Sequence, residues 1–230
     1  MRYQFVDCRW ELGGPERGRE LYLAGHIPGA SFLDVDTDLS SPPGEGRHPL
    51  PSAEDFSAAA GRAGIGVDIF VVAYGAMGGA ERLWWLLRHF GHDDCAVIDL
   101  ASWHGPLHRG EEAIEPATFE PRPRTDDTIS ADELASRLDD LVVVDARVPA
   151  RYRGEPNPID KVPGRVPGAL NAPWNEGLPE LPEGELVAYC GSGVTASVIL
   201  HRLALAGREG KLYPGSWSDW ETRGLPVERG

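Results

Sequence analysis

The sequence is poor in the residues that would hold a fold together through covalent bonds or metal ions. Its 230 residues include only three cysteines, Cys8, Cys95 and Cys190, and no two of them form a C-x-x-C motif. A small and uneven number of cysteines argues against a disulfide framework and favours a reducing, cytoplasmic compartment. The usual metal-ligand spacings are missing as well, and we expect neither a metal site nor a cofactor.

Two further shortages restrict the partners that this chain can have. No apolar run approaches the roughly 18 residues of a transmembrane helix, and the start, MRYQFVDCRW, predicts a strand and not a targeting segment. Basic residues are outnumbered, with 22 Lys and Arg against 36 Asp and Glu, so the net charge is −14. Neither nucleic acid nor a membrane is therefore expected as a partner. An anionic substrate would have to be met by a local group of positive charges.

What the sequence does contain is an internal repeat. Three landmarks recur in the same order in both halves: FVDCRW and VVDARV, AGHIPGASFLD and PGRVPGALNAP, and VAYGAMGG and VAYCGSGV. In the third pair, Gly75 stands where the second copy has Cys190. The first copy is longer between its second and third landmarks, and the loop SSPPGEGRHPLPS, residues 40–52, accounts for the difference.

Each copy alternates short strands with helices. LVVVDA and ELVAYC in the second copy are the apolar runs of strands buried on both faces. Ser130 and Glu133 form a capping box at the start of a helix. Gly91 and Gly207 end the helices that follow the third landmark in each copy. This alternation predicts a mostly parallel sheet flanked by helices in each copy.

The two copies are separated by a segment rich in proline and charge, EPATFEPRPRTDD, residues 115–127. Such a composition is typical of a linker. We therefore predict two tandem α/β domains with a boundary near residue 122, so that the domains are 1–122 and 123–230.

Cys190 occupies a position suited to a nucleophile. Ligands of an open parallel sheet bind at the carboxyl ends of its strands, and Cys190 directly follows a predicted strand. Gly191 and Gly193 allow backbone N–H groups to turn toward the sulfur, and the helix that starts near Thr195 adds the positive end of its dipole. Together these features favour a nucleophilic thiolate. The alternative is a buried, inert cysteine at a strand end.

Two chemistries use a thiolate in a loop of this kind. A cysteine phosphatase needs an arginine six positions after the cysteine to clamp the phosphoryl oxygens, and that position is Ala196 here. Sulfur transfer needs no clamp, because the cargo is one sulfur atom carried as a persulfide. The sequence therefore favours sulfur transfer, although a carrier that holds a persulfide on Cys190 without turning over a small donor stays open.

These motifs together resemble those of the tandem-domain rhodanese and 3-mercaptopyruvate sulfurtransferase family, over essentially the whole chain. The matching stretches are GHIPGA, WWLLRHFGH, VDARVPARYRG, CGSGVTA and GSWSDW. The resemblance implies two rhodanese-like domains with the active site between them. It also implies that the first domain is catalytically silent, with Gly75 in the place of the nucleophile Cys190.

The residues around the cysteine bear on the sulfur donor. Thiosulfate enzymes of this family tend to carry cations directly after the cysteine, whereas Gly191 and Ser192 are neutral. This favours 3-mercaptopyruvate, whose charge lies on a carboxylate away from the reacting sulfur. The match of motifs implies that Arg151 binds that carboxylate. It also implies that the active loop binds the substrate through the backbone N–H groups of Gly191, Gly193, Val194 and Thr195.

A departure from the family keeps a thiosulfate:cyanide sulfurtransferase open as the alternative. In mercaptopyruvate enzymes a second arginine follows an E-P-E-P stretch, but in GEPNPIDK its place is taken by Asp160. Lys161 or Arg165 is the candidate for the missing charge. The acceptor, whether cyanide, a small thiol or a thioredoxin-like protein, is not determined by these residues.

A Ser–His–acid relay is a second feature proposed for mercaptopyruvate enzymes. The serine two residues after the cysteine is Ser192, and the histidine of GHIPGA is His26. Glu16 and Glu20 are candidates for the acid. We therefore predict catalytic roles for Cys190, Ser192 and His26.

Overall fold

The chain folds into two compact units in a computed structural model that describes residues 2–230. The first unit contains residues 2–41 and 50–124, and the second contains residues 125–230 together with the segment 42–49. This segment lies within the long loop of the first copy. The sequence, with its linker at 115–127, did not predict that part of that loop belongs to the second unit.

The first unit is built on a parallel sheet of four strands in the order β2-β1-β3-β4. Its strands are β1 (Arg2–Cys8), β2 (Ser31–Phe32), β3 (Ile69–Gly75) and β4 (Cys95–Ile98). Its helices are α1 (Arg17–Ala24), α2 (Ala53–Arg62) and α3 (Gly79–His89), followed by a 3₁₀ turn at Leu100–Ser102.

The second unit repeats this plan, with four parallel strands in the order β6-β5-β7-β8. Its strands are β5 (Leu141–Asp145), β6 (Leu170–Asn171), β7 (Glu185–Tyr189) and β8 (Lys211–Leu212). Its helices are α4 (Ala131–Ser136), α5 (Pro149–Tyr152), α6 (Ala196–Leu205) and α7 (Ser216–Trp220). The predicted fold class, two copies of a mostly parallel sheet flanked by helices, is confirmed.

The local signals that predicted the helices are found in the structure. The Ser130 side chain accepts a hydrogen bond from the backbone N–H of Glu133 at 3.2 Å and so caps α4. Gly91 and Gly207 follow the ends of α3 and α6 with φ of 84° and 72°. Glycine is favoured there because side chains disfavour that left-handed backbone region.

Each unit buries its own apolar core. In the second unit Trp217, Trp220 and Tyr213 from the end of the chain pack with Val187 and Tyr189 of β7. Among residues 2–230, no helix is both long and apolar enough to cross a membrane. Within the same range, no group of three His, Cys, Asp or Glu side chains is arranged to hold a metal ion.

Both units carry an aspartate–arginine pair at the end of the central strand. In the second unit Arg147 donates to Asp145 through Nε and Nη2, at 3.0 Å and 2.6 Å, and both side chains are almost fully buried. The hydroxyl of Tyr189 donates to the same carboxylate at 2.6 Å. In the first unit Arg9 donates to Asp7 in the same way. The pair fixes the loop after each central strand.

We expect the replacement Arg147→Met to destabilise the second unit strongly. Methionine keeps much of the volume but leaves the Asp145 carboxylate buried without its cation, which costs about 3–5 kcal/mol. The free energy of unfolding, measured by urea denaturation, tests this. The control is Arg153→Met, because Arg153 forms an exposed pair with Glu155 and such pairs contribute about 0–1 kcal/mol. Equal losses in the two variants would contradict the structural role of the Asp145–Arg147 pair.

Candidate active site

Cys190 directly follows β7, at the carboxyl end of a central strand, and only 2% of its surface is exposed. Its Sγ accepts the backbone N–H groups of Gly193 at 3.1 Å and Ser192 at 3.4 Å. Gly193 has a φ of 85°, which turns its N–H toward the sulfur. Two backbone donors therefore stabilise negative charge on this sulfur.

The start of α6 leaves further donors beside the loop. Val194 is buried and Thr195 half-buried, and neither backbone N–H has an acceptor among residues 2–230. Unpaired N–H groups are expected at a helix N-terminus, where they favour a bound anion. The loop can therefore hold a second anionic atom in addition to the cysteine sulfur.

Helix α7 fixes the backbone of the cysteine loop from the other side. Ser216 Oγ accepts the N–H of Cys190 at 3.0 Å, while the N–H groups of Trp217 and Ser218 donate to the carbonyls of Cys190 and Gly191, both at 3.0 Å. Ser216 adopts a left-handed φ of 52°, which is unusual for a side-chain-bearing residue. The GSWSDW motif thus serves to hold the loop.

The other two cysteines have surroundings that oppose a thiolate. Burial and the neighbouring Asp7 raise the pKa of Cys8 well above its ordinary value. Burial raises the pKa of Cys95 to about 12. At Gly75, the position that matches Cys190 in the first copy, an added Cβ would lie 2.8 Å from the carbonyl oxygen of Cys8. The first unit therefore has no room for a cysteine there unless its backbone shifts.

The side chain of Ser192 contacts a histidine that the sequence did not predict for this role. His48 Nδ1 lies 2.7 Å from Ser192 Oγ, and both residues are buried. His48 belongs to the segment 42–49, which is part of the second unit. Ser192 therefore has a histidine at hydrogen-bond distance, and this histidine comes from the long loop of the first copy.

His26, the histidine predicted for the relay, has its hydrogen-bond partners within the first unit. In the first unit, the ring of His26 is buried and stacks on Tyr22, whose carbonyl lies 2.8 Å from its Nδ1. Its Nε2 lies 3.2 Å from Glu112. Both ring nitrogens of His26 thus have partners, one in helix α1 and the other at Glu112, and these contacts hold the GHIPGA segment in place.

The candidate acids Glu16 and Glu20 lie at the start of α1. Glu16 stands at the N-cap position, and Glu20 forms an exposed ion pair with Arg17. Neither contacts His26, whose acidic partner is Glu112. Hydrogen bonds from Gly29 and from the two histidines His108 and His26 lower the pKa of Glu112 to about 2.

Arg151, the predicted substrate-binding arginine, forms an ion pair with Asp160 that occupies two of its three guanidinium nitrogens. Its Nε and Nη2 donate to the two carboxylate oxygens at 2.8 Å and 2.5 Å. Arg147 reaches the same carboxylate at 3.4 Å. Although burial raises the pKa of Asp160, the hydrogen bonds and charge of Arg151 outweigh it and hold that pKa below its ordinary value. Asp160 therefore stays ionised and neutralises one guanidinium.

Two guanidinium groups lie beside Gly191. A Cβ added to Gly191 would be 2.8 Å from Nη2 of Arg151 and 2.8 Å from Nη2 of Arg47. Arg47 belongs to the segment 42–49, and its Nη2 donates to the Gly191 carbonyl at 3.1 Å. The sequence therefore led to a wrong expectation: the residues that follow Cys190 are neutral, yet cations from elsewhere stand next to them.

The two residues expected to replace the missing family arginine lie in other surroundings. Arg165 forms an ion pair with Glu228 and stacks over the ring of Tyr152. Lys161 is exposed, and its backbone N–H donates to Glu221. The atoms nearest to a Cβ added at Gly191 belong instead to Arg47 and Arg151.

The chain is similar to known proteins over nearly its whole length. Two regions, residues 2–102 and 130–223, match the family model of the rhodanese-like domain. The chain is 36% identical to human 3-mercaptopyruvate sulfurtransferase, covering 98% of this chain and 87% of that protein. It is also 36% identical to the "Putative thiosulfate sulfurtransferase SseB" of Mycobacterium tuberculosis, covering 98% of this chain and 90% of that protein.

The fold is similar to that of a solved relative. The crystal structure of SseA from Escherichia coli, a 3-mercaptopyruvate sulfotransferase, superposes with a TM-score of 0.80 at 31% identity, covering 94% of this chain and 93% of that one. The matches cover both units, and they include the loop that carries Cys190. This chain is therefore a sulfurtransferase of the rhodanese-like family, with two copies of the rhodanese-like domain.

Proposed function

We propose that the protein takes a sulfur atom from 3-mercaptopyruvate as a persulfide on Cys190 and passes it to a thiophilic acceptor. The observation that carries this proposal is the arrangement around the loop. Two N–H groups point at Sγ, and two more at the start of α6 have no acceptor among residues 2–230. A small cluster of charge lies beside Gly191.

The charge beside the loop suits a monoanion. Arg47 and Arg151 contribute two positive charges, and Asp160 takes away one. 3-Mercaptopyruvate carries one carboxylate, which a single net positive charge can neutralise. Thiosulfate brings two negative charges close to the sulfur, and in a buried site an unneutralised charge costs several kcal/mol.

The transfer can be written with all atoms and electrons accounted for. The Cys190 thiolate attacks the sulfur of mercaptopyruvate, and an S–S bond forms as the C–S bond breaks. The electron pair of that bond goes to carbon and gives the enolate of pyruvate, which takes up one proton, while the proton of the mercaptopyruvate thiol stays on the outer sulfur of the persulfide. The outer sulfur stays on Cys190 and accepts the unpaired N–H groups of Val194 and Thr195.

Ser192 and His48 are placed to handle the proton that the enolate takes up. Their 2.7 Å contact links the Ser192 hydroxyl, two residues from the nucleophile, to a ring nitrogen. A histidine is the usual proton donor and acceptor near neutral pH. We therefore assign to this pair the delivery of a proton to the departing enolate.

Thiosulfate:cyanide sulfurtransfer is the alternative. The relative from Mycobacterium tuberculosis is named a putative thiosulfate sulfurtransferase. In addition, Asp160 occupies the position at which mercaptopyruvate enzymes carry a second arginine. A cyanide ion, a small thiol or a thioredoxin-like protein can serve as the acceptor. The three unpaired cysteines suit a reducing compartment such as the cytoplasm.

Cys190 is expected to be the only cysteine that transfer needs. Cys190→Ser should abolish pyruvate release from 3-mercaptopyruvate, because a hydroxyl cannot hold a sulfane sulfur. Cys8→Ala and Cys95→Ala should keep most of the activity, since the pKa of each of these thiols is raised by burial. Substantial turnover in Cys190→Ser would end the proposal.

The donor preference follows from the charge beside the loop. We expect kcat/KM for 3-mercaptopyruvate to exceed that for thiosulfate at least about tenfold, which corresponds to about 1.4 kcal/mol. Asp160→Asn should reduce the difference in kcat/KM between the two donors, because it removes the negative charge that neutralises Arg151. Steady-state kinetics with both donors and one acceptor measure this. A protein that uses thiosulfate more efficiently would favour the alternative function.

His48→Gln should slow the reaction of 3-mercaptopyruvate more than that of thiosulfate. General acid catalysis contributes about 100-fold or more, and only mercaptopyruvate leaves as a carbanion that needs a proton. Sulfite leaves thiosulfate without one. The kcat/KM values for both donors test this, with the exposed His104→Gln as control. Equal losses for the two donors would assign His48 a structural role alone.

A further inference from the structure

Arg47 is held against the second unit by the backbone of its own segment. Its N–H donates to Ser218 Oγ at 3.0 Å. The preceding Gly46 has a φ of 86°, and an added Cβ there would lie 2.6 Å from the carbonyl oxygen of Gly215. Glu45 forms an ion pair with Arg223 at 3.1 Å. The segment is therefore packed too closely for Arg47 to be a freely moving surface residue.

The Arg47 guanidinium has no carboxylate partner among the described residues. Within residues 2–230 no carboxylate lies within ion-pair distance of it, and its buried Nε has no hydrogen-bond acceptor. The charges of Asp160, of the Cys190 sulfur and of Glu221 act on it without forming an ion pair. Burial lowers the pKa of Arg47, and the charge of Arg151 lowers it further. A cation in such a place is costly unless an anion joins it.

The neighbouring arginines differ from Arg47 in this respect. Arg147 pairs with Asp145, Arg151 with Asp160 and Arg165 with Glu228. The position of Arg47 next to Gly191 and Arg151 leaves one positive charge that is not neutralised, beside the residue that follows the nucleophile. Because like charges repel, an anion bound at both guanidiniums would stabilise the site.

We propose that Arg47 binds the carboxylate of the sulfur donor and so determines its specificity, in the role for which Lys161 and Arg165 were the candidates from the sequence. The proposal rests on the proposed function, because the anion in question is that of the donor. A planar guanidinium matches a carboxylate with two parallel hydrogen bonds. Arg151 keeps Nη1 for the same carboxylate, since its other two nitrogens are bound to Asp160.

The first test measures the charge beside the sulfur without any sulfur transfer. Iodoacetate and iodoacetamide alkylate the same thiol and differ mainly in charge. We expect Arg47→Met to lower the rate ratio of iodoacetate to iodoacetamide at Cys190 at least about tenfold, and Arg47→Lys to lower it less. The matched control is Arg153→Met, which removes an exposed charge in the same unit and should leave the ratio unchanged.

The second test follows the loading of Cys190 by 3-mercaptopyruvate in a single turnover, detected as the mass of one added sulfur atom. Arg47→Met should raise the half-saturating concentration about 10- to 100-fold, with a smaller change in the maximal rate. Arg47→Lys should fall between Arg47→Met and the unmodified protein. If Arg47 had a purely structural role, Arg47→Met would lower the maximal rate of loading, and Arg47→Lys would not restore it.

The outcomes separate the two proposals. An unchanged alkylation ratio together with unchanged loading in Arg47→Met would overturn the role of Arg47. Failure of 3-mercaptopyruvate to load even the unmodified protein would instead refute the proposed function. In that case a lowered alkylation ratio in Arg47→Met would still locate the anion site at Arg47.

Discussion

The site depends on the buried ion pair between Asp145 and Arg147. The Asp145 carboxylate accepts the hydroxyl of Tyr189, the residue directly before the nucleophile, and so fixes the end of β7. Arg147 extends from the same pair toward Asp160, which in turn holds Arg151. A continuous series of hydrogen bonds therefore links Tyr189, the last residue of β7, to Arg151 beside the loop. The same contacts thus fix the position of the Cys190 sulfur and that of the Arg151 charge.

The duplication shows which parts of this arrangement belong to the fold and which to the chemistry. Both copies have the same strand order, and both carry the aspartate–arginine pair at the end of the central strand. They differ at the third landmark, where the first copy brings the backbone of Cys8 up to Gly75. The pair is thus common to both copies, whereas the cysteine and its loop are present only in the second.

The strands, the helices and Cys190 could be predicted because each rests on a local pattern. Ser192 and Arg151 became candidates because they belong to motifs near Cys190 in the sequence or in the pattern of the resembling family, and their roles stay predictions. His48 and Arg47 could not be found this way, since both lie about 140 residues before the loop that they contact. One signal was available: the long loop is present in only one copy of a duplicated fold, and it carries an arginine and a histidine side by side among prolines and glycines.

The presence of Arg47 and that of Asp160, where the resemblance led us to expect a second arginine, are physically linked. An arginine at position 160 would lie beside Arg147 and Arg151, with Arg47 close by, and Asp145 is already paired with Arg147. Two like charges 4 Å apart repel by about 4 kcal/mol at the effective dielectric of a protein surface. With Asp160 instead, Arg151 is held in place and its charge is balanced, which leaves Arg47 as the cation for the ligand. Arg47 and Asp160 therefore complement each other in charge, and one carboxylate on the substrate completes the balance of charge.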